Sequence, residues 1–169
     1  DYKHVYTPDI AKLELYQKSG HYPYYKDSMY APIQIDEEQF TWLENELKTT
    51  AYEQHICIVS HIPIVSFCSA MFSDKNEANG DFKISRALLH VDNRRLIELF
   101  KQYANIKCCL SGHIHLQDAV TYFGIQYYCN GAVSGNWWGG TFKGFAPAYA
   151  VFDFYKDGTV KREIVAYEN

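Results

Sequence analysis

The chain has 169 residues, about one domain's worth, of which 47% are hydrophobic, with 16 Lys+Arg against 20 Asp+Glu and a formal net charge of −4. This is enough apolar material for a core, which excludes wholesale disorder. No basic run is available to neutralise a string of phosphates, so nothing points to nucleic acid as a partner. No apolar stretch approaches the ~18 residues of a membrane-spanning helix. The N-terminus, Asp1-Tyr2-Lys3-His4, has neither an initiator Met nor a signal-peptide pattern, and the chain is expected to begin within a longer protein. Aromatic residues make up 17% of the chain, more than a core of this size requires, which points to some of them lining a site or interface. The five cysteines, Cys57, Cys68, Cys108, Cys109 and Cys129, are odd in number and lack CxxC spacing, so neither a zinc knuckle nor a full disulfide framework is indicated. Cys57, Cys108 and Cys109 sit in apolar runs and read as buried thiols.

In chain order, residues 1–34 show little apolar periodicity and are broken by Tyr22-Pro23-Tyr24-Tyr25 and Ala31-Pro32, which predicts an irregular surface segment. Asp36 can cap a helix with Gln39 as its capping-box partner, and Phe40, Leu43 and Leu47 recur at helical spacing, so a helix is expected to about Thr49. His55 to Ser60 is a short apolar, β-branched run, the pattern of a strand buried on both faces, and His61 follows its end. Between Pro63 and Phe82 the chain turns polar, with Asp74-Lys75-Asn76-Glu77 and Asn79-Gly80-Asp81 reading as a long loop of the kind that carries function. A second helix from Asp92 has Leu96, Leu99, Phe100 and Tyr103 on one face and Arg94, Arg95, Glu98 and Lys101 on the other.

Ile106 to Leu110 repeats the buried-strand pattern and is followed by Ser111-Gly112-His113-Ile114-His115. Two hairpins are then predicted: Ala119 to Phe123 with Ile125 to Cys129 around Gly124, and Tyr149 to Tyr155 with Thr159 to Ala166 around Lys156-Asp157-Gly158. Between them lies a glycine-rich segment, Asn130 to Gly140, that includes Trp137 and Trp138. The order of elements predicts an α/β layered sheet with a β-rich second part.

In open α/β sheets, ligands and metals gather at the carboxyl ends of strands, and this sequence puts His61, His113 and His115 at two such ends. Both runs have the same grammar: an apolar strand, Ser, then His directly or after Gly112, a residue that allows a sharp bend. Three imidazoles converging there could hold zinc, iron, nickel or manganese, with His113 and His115 reaching adjacent positions on two nearby ions. The plainer alternative is that each His caps a strand or is hydrogen-bonded in the core. His4, His21, His55 and His90 lack the placement and read as surface or packing residues.

Val59-Ser60-His61-Ile62-Pro63 and Ser111-Gly112-His113-Ile114-His115 resemble the fourth and fifth motifs of the calcineurin-like metallophosphoesterases, in the same order and with a gap of about 50 residues. Gln39-Phe40-Thr41-Trp42-Leu43 is similar to the helix upstream of the first of these motifs. Asn130 to Trp138 is similar to a segment of bacterial members, many of them exported, which makes an exported bacterial protein the localisation implied. The resemblance covers nearly all of the chain from Ile35. The family's Asp-x-His, Gly-Asp and Gly-Asn-His motifs, which supply carboxylates, an Asn ligand and the acid for the leaving group, have no counterpart in residues 1–54. Gly80-Asp81 lies downstream of His61, in the wrong order.

The resemblance therefore implies the C-terminal half of a four-layer αββα sandwich, a mixed sheet followed by β-hairpins, with residues 35–169 bearing the motifs and the N-terminal half absent. It implies that His61 and His113 hold one ion of a two-metal centre (Mn, Fe or Zn) and His115 the other, with no catalytic residue within this chain. It implies hydrolysis of a phosphomonoester or phosphodiester by the intact protein, and weak or no metal binding and negligible activity for this part alone. The expected partners are the phosphate-ester substrate, the other half of the same protein, and a second copy associating through uncovered sheet. The alternative is a non-catalytic binding or structural module on the same scaffold. Trp137 and Trp138 could stack on a nucleobase or sugar, or could fill the core or the seam between sheets, and Asn136 and Lys143 read as a solvated loop.

Overall fold

The computed structural model describes residues 35–73, 78, 80–85 and 87–167. The chain divides into two units, Asp1–Ile33 and Gln34–Asn169, and every described residue belongs to the second. The irregular segment expected over residues 1–34, His4 and His21 within it, and residues 74–77 and 79 of the polar loop lie outside the described residues.

Helix α1 spans Glu37–Thr49 and begins as its sequence requires: Asp36 Oδ1 accepts a 2.8 Å hydrogen bond from the Gln39 amide, satisfying one of the free N–H groups of the first turn. Glu37 and Glu38 in the first turn and Lys48 in the last complement the helix dipole. The chain then forms strand β1, Ile56–Val59, and a short helix α2, Cys68–Met71, inside the segment expected to be loop. Helix α2 is held by Asp118, whose Oδ2 accepts 2.8 Å bonds from the Cys68 amide and the Ser66 hydroxyl, a contact that only the tertiary fold creates. Helix α3, Asn93–Phe100, buries Leu96, Leu99 and Phe100 and exposes Arg94, Arg95 and Glu98, as its periodicity predicts.

Strands β2 (Ile106–Ser111), β3 (Gln117–Tyr122) and β4 (Ile125–Asn130) join β1 in a mixed four-stranded sheet of order β1-β2-β4-β3. Strands β1 and β2 run parallel, as do β2 and β4, while β3 and β4 form an antiparallel hairpin. That hairpin turns at Phe123-Gly124, both with positive φ (49° and 76°), the twist that a two-residue turn between strands needs. Strands β5 (Ala148–Phe154) and β6 (Val160–Ala166) make a separate antiparallel pair. Gly158, at φ 85°, closes their turn, where Tyr155 N–H donates to the Thr159 carbonyl at 2.9 Å.

Alternation along the central strands sends side chains to opposite faces. One face of the sheet, through Ile106, Cys109, Ile125 and Tyr127, packs on Phe40 and Leu47 of α1 and Leu96, Leu99 and Phe100 of α3. The other, through Cys108 and Tyr128, packs on Val160 and Phe152 of the β5–β6 pair. Arg162 of β6 completes that seam, its Nη1 donating to the carbonyls of Asp118 (2.7 Å) and Cys129 (3.1 Å) and its guanidinium lying over the Tyr128 ring. The fold is thus α/β, a mixed sheet with helices on one face and a β-hairpin sheet on the other.

The expectation that both predicted strands are buried on two faces holds for β2 and not for β1. Strand β1 is the sheet's edge among the described residues, and Val59 is 74% exposed. All five cysteines are free thiols. Burial pushes Cys68 up to about 11, with help from Asp118, and Cys129 up to about 12, and it raises Cys109 as well, so these are inert parts of the core.

His55 is exposed and His90 is buried, the surface and packing roles expected of them. Burial lowers the His90 pKa from 6.5 against the opposing pull of Asp92, and its Nδ1 accepts a bond from the Asp92 amide (3.3 Å), which protonation would break. A base whose folded pKa lies below its unfolded value is best tolerated neutral. Stability is therefore full above about pH 7 and declines as pH falls through 6.5 toward the folded value. Denaturation midpoints measured at pH 7.5 and 5.5 are expected to fall with pH, and to fall less in His90→Gln.

Candidate functional site

The parallel ladder between β1 and β2 continues past both strand ends. Ser60 N–H donates to the Leu110 carbonyl at 3.0 Å and Gly112 N–H to the His61 carbonyl at 3.1 Å, so the residues after the two strands are carried side by side. The Ser60 hydroxyl binds the Ile62 carbonyl (2.8 Å) and the Ser111 hydroxyl the Tyr128 carbonyl (3.0 Å), fixing both exits. This brings His61 Nε2 to 2.8 Å from His113 Nδ1, with ring centroids 4.6 Å apart and planes crossed at 69°.

The bend after β2 is not made by Gly112. The residues in the left-handed region are His113 (φ 64°) and His115 (φ 59°), whereas a Cβ on Gly112 would meet only ordinary contact, 3.7 Å from the Gly131 carbonyl oxygen. Ile114 N–H closes back onto the Gly112 carbonyl at 2.7 Å, a γ-turn centred on His113 in its rarer, strained form. Strain of this kind costs about 1–3 kcal/mol per residue and persists only where surrounding contacts enforce it.

The three rings do not gather into one set. His115 is held apart: its Nδ1 lies 2.6 Å from the Gly135 carbonyl oxygen and its ring stacks on Trp137, centroids 4.5 Å apart and planes 29° from parallel. A carbonyl can only accept, so His115 Nδ1 is the donor to Gly135. Burial, then repulsion by His61 and His115, holds the His113 pKa below 6.5, while a hydrogen bond to the backbone of Ala87 opposes the shift. His113 is therefore neutral near pH 7. Among the described residues no group of three or more His, Cys, Asp or Glu is placed to hold a metal ion.

The glycine-rich segment after β4 is a built loop. Trp138 N–H donates to the Ser134 carbonyl at 2.7 Å, Asn136 N–H to Gly140 at 2.8 Å, and Ala148 N–H to Ala132 at 3.1 Å. Trp137 and Trp138 are 66% and 69% exposed, which removes the core reading for both. Phe142 meets the Trp137 ring edge-on at 5.4 Å, and exposed Lys143 donates to the Phe72 carbonyl at 2.8 Å. The roles of the Gly135 carbonyl and of Ala87 beside the histidines are not visible in the sequence, because backbone partners carry no residue-type signal.

No family model matches the chain. Short stretches are similar to threonine–tRNA ligases: 56% identity over 39 residues with that of Deinococcus radiodurans, which is 23% of this chain and 6% of the ligase. The ligase of Anoxybacillus flavithermus is 38% identical over 60 residues, 36% of this chain and 9% of the ligase. Among solved structures, a dimetal phosphatase from Danio rerio aligns with a TM-score of 0.43 and 20% identity, over 56% of this chain and 26% of that one. The chain thus spans less than a tenth of these ligases and about a quarter of the phosphatase chain.

Gly135 links the loop to the histidines. At φ 51° it is left-handed, and an added Cβ would collide with the Gly140 carbonyl oxygen and come within 2.8 Å of Pro147 Cγ. Gly135→Ala is expected to destabilise the protein by about 1–3 kcal/mol and to shift tryptophan emission as Trp137 leaves His115, both measurable in one fluorescence-monitored denaturation.

Proposed function

We propose that this chain supplies the histidine side of a metal-dependent phosphoesterase centre, with His61 and His113 binding one ion and His115 a second. The observation that carries the reading is the 2.8 Å approach of His61 Nε2 to His113 Nδ1 at the carboxyl ends of adjacent parallel strands. The contact is a hydrogen bond between the two rings, and an ion held by His61 and His113 would take the place of its proton, as metal binding to imidazole requires. His115 has one ring nitrogen tied to a backbone carbonyl, as in most metal-bound histidines, which leaves Nε2 as the atom that would face an ion. The fit is partial: imidazoles bring no negative charge, and the described residues bring no carboxylate to join them.

The chemistry that divalent ions would supply there, if bound, is activation of water near neutral pH and stabilisation of phosphoryl charge. What this chain's residues contribute is narrower. The two parallel strands fix the separation of the His61 and His113 nitrogens. Burial and mutual repulsion keep His113 unprotonated and able to coordinate. Carboxylates and the proton donor for the leaving group come, in this reading, from chain outside this sequence, so the substrate ester and the native metals, Mn, Fe or Zn, are set jointly with it.

Dialysis of the chain against zinc or manganese at pH 7.5, followed by metal analysis, is expected to show weak binding that His61→Ala or His113→Ala abolishes. Aryl phosphate mono- and diesters with either metal added are expected to turn over negligibly, since a general acid alone is worth about 10²–10⁴-fold. Metal retention unchanged in the double variant would assign the ligands elsewhere, and robust turnover by this chain would overturn the incomplete centre.

A further inference from the structure

Strands β1 and β2 carry a second pair of reactive side chains before the histidines. Cys57 stands opposite Cys108 in the parallel register. Alternation along β1 sends Ile56 and Ile58 to the helical face, where they pack on the cluster of Ile106 and Cys109, and turns Cys57 the other way, toward Cys108, Tyr128 and Val160. The two thiols therefore share one face of adjacent strands. Neighbouring strands lie about 4.8 Å apart, inside the Cα separation of about 4.4–6.8 Å that a disulfide spans without backbone movement. Their surroundings are unequal: Cys108 is fully buried, whereas Cys57 is half-buried. A hydrogen bond from Cys108 holds Cys57 below the usual thiol value against the effect of burial, and the same contact, with burial, pushes Cys108 up. Cys68 and Cys129, which also share a cluster, are engaged differently. Their Sγ atoms donate to the carbonyls of Gln117 and Gly112, each at 3.5 Å, and burial keeps both thiols protonated.

We propose that Cys57 and Cys108 are a redox-active dithiol that closes to a disulfide when the protein meets a peroxide. The more accessible thiol reacts first. The Cys57 sulfur attacks one peroxide oxygen, forming an S–O bond as the O–O bond breaks, and the departing hydroxide leaves as water with the Cys57 thiol proton. The Cys108 sulfur then displaces the hydroxyl from the Cys57 sulfenic acid, forming the S–S bond and releasing a second water with its own proton. In sum two thiols lose two electrons and two protons, and hydrogen peroxide is reduced to two waters. The bridge crosses the β1–β2 ladder ahead of the rungs that carry His61 and His113. It does not rest on the phosphoesterase reading, because it needs only the two paired strands.

The test is treatment of the whole reduced chain with hydrogen peroxide at pH 7.5, followed by thiol titration under denaturing conditions and tandem mass spectrometry. The thiol count is expected to fall from five to three, with Cys57 linked to Cys108, and dithiothreitol to restore all five. Cys108→Ala is expected to stall at the sulfenic acid, so that dimedone labels Cys57 in that variant and not in the unsubstituted chain. Cys57→Ser is expected to keep all four of its thiols, with circular dichroism confirming that both variants fold. The bridge in the unsubstituted chain is assigned without either variant. Retention of all five thiols, a bridge between any other pair, or equal dimedone labelling of Cys57 with and without Cys108 overturns the proposal.

Discussion

The site depends on one feature, the parallel backbone ladder between β1 and β2. Its last two rungs, Ser60 to Leu110 and Gly112 to His61, lie beyond the strands as such, and they hold two otherwise independent turns at a fixed offset. In an antiparallel pair the two strands would end at opposite ends of the ladder, and residues following each of them would not meet. Parallel pairing, which needs the intervening α3 to carry the chain back across the sheet, is what allows two copies of the same local grammar to place two imidazoles 2.8 Å apart. The helical layer is therefore connected to the chemistry. The packing of Phe40, Leu96 and Phe100 on Ile106 and Cys109 keeps β2 central and in register.

The second constraint is conformational. His113, His115, Trp137 and Trp138 all have positive φ, and all belong to the two segments that meet at the site. Such residues revert unless neighbouring structure forbids it. Here Arg162, bonded to the Asp118 and Cys129 carbonyls, stiffens the strands that flank the histidine turn. Tyr167 and the Ala132–Ala148 backbone bond close the tryptophan loop. Both sets of contacts come from the C-terminal β5–β6 pair or its flanks, so that hairpin, remote from the histidines in sequence, acts as their brace.

Much of this was legible in advance, for reasons that differ by element. Helix α1 was legible because the Asp36 cap and the spacing of Phe40, Leu43 and Leu47 agree on a helix to about Thr49. The hairpin turns announced themselves through Gly124 and Gly158. Pairing of His61 with His113 followed from matching placement at strand ends. Two things do not follow from the sequence. An apolar run does not reveal whether a neighbour covers the strand's outer edge, so it does not distinguish β1 from β2. Gly112 is the residue best able to bend, yet the chain bends at His113, where the γ-turn bond from Ile114 to Gly112 compensates.

The position of His115 separates it from the other two histidines of the candidate site. Its Nδ1 is committed to Gly135 and one ring face to Trp137, so the orientation of its free Nε2 is set by the same loop that displays Trp138. Phe142 also meets the His115 ring, centroids 6.1 Å apart and planes crossed at 77°. His61 and His113 are carried instead by the sheet ladder, and His113 also bonds the Ala87 backbone. The two parts of the candidate site thus answer to different parts of the fold, His61 and His113 to parallel strands and His115 to a strained loop.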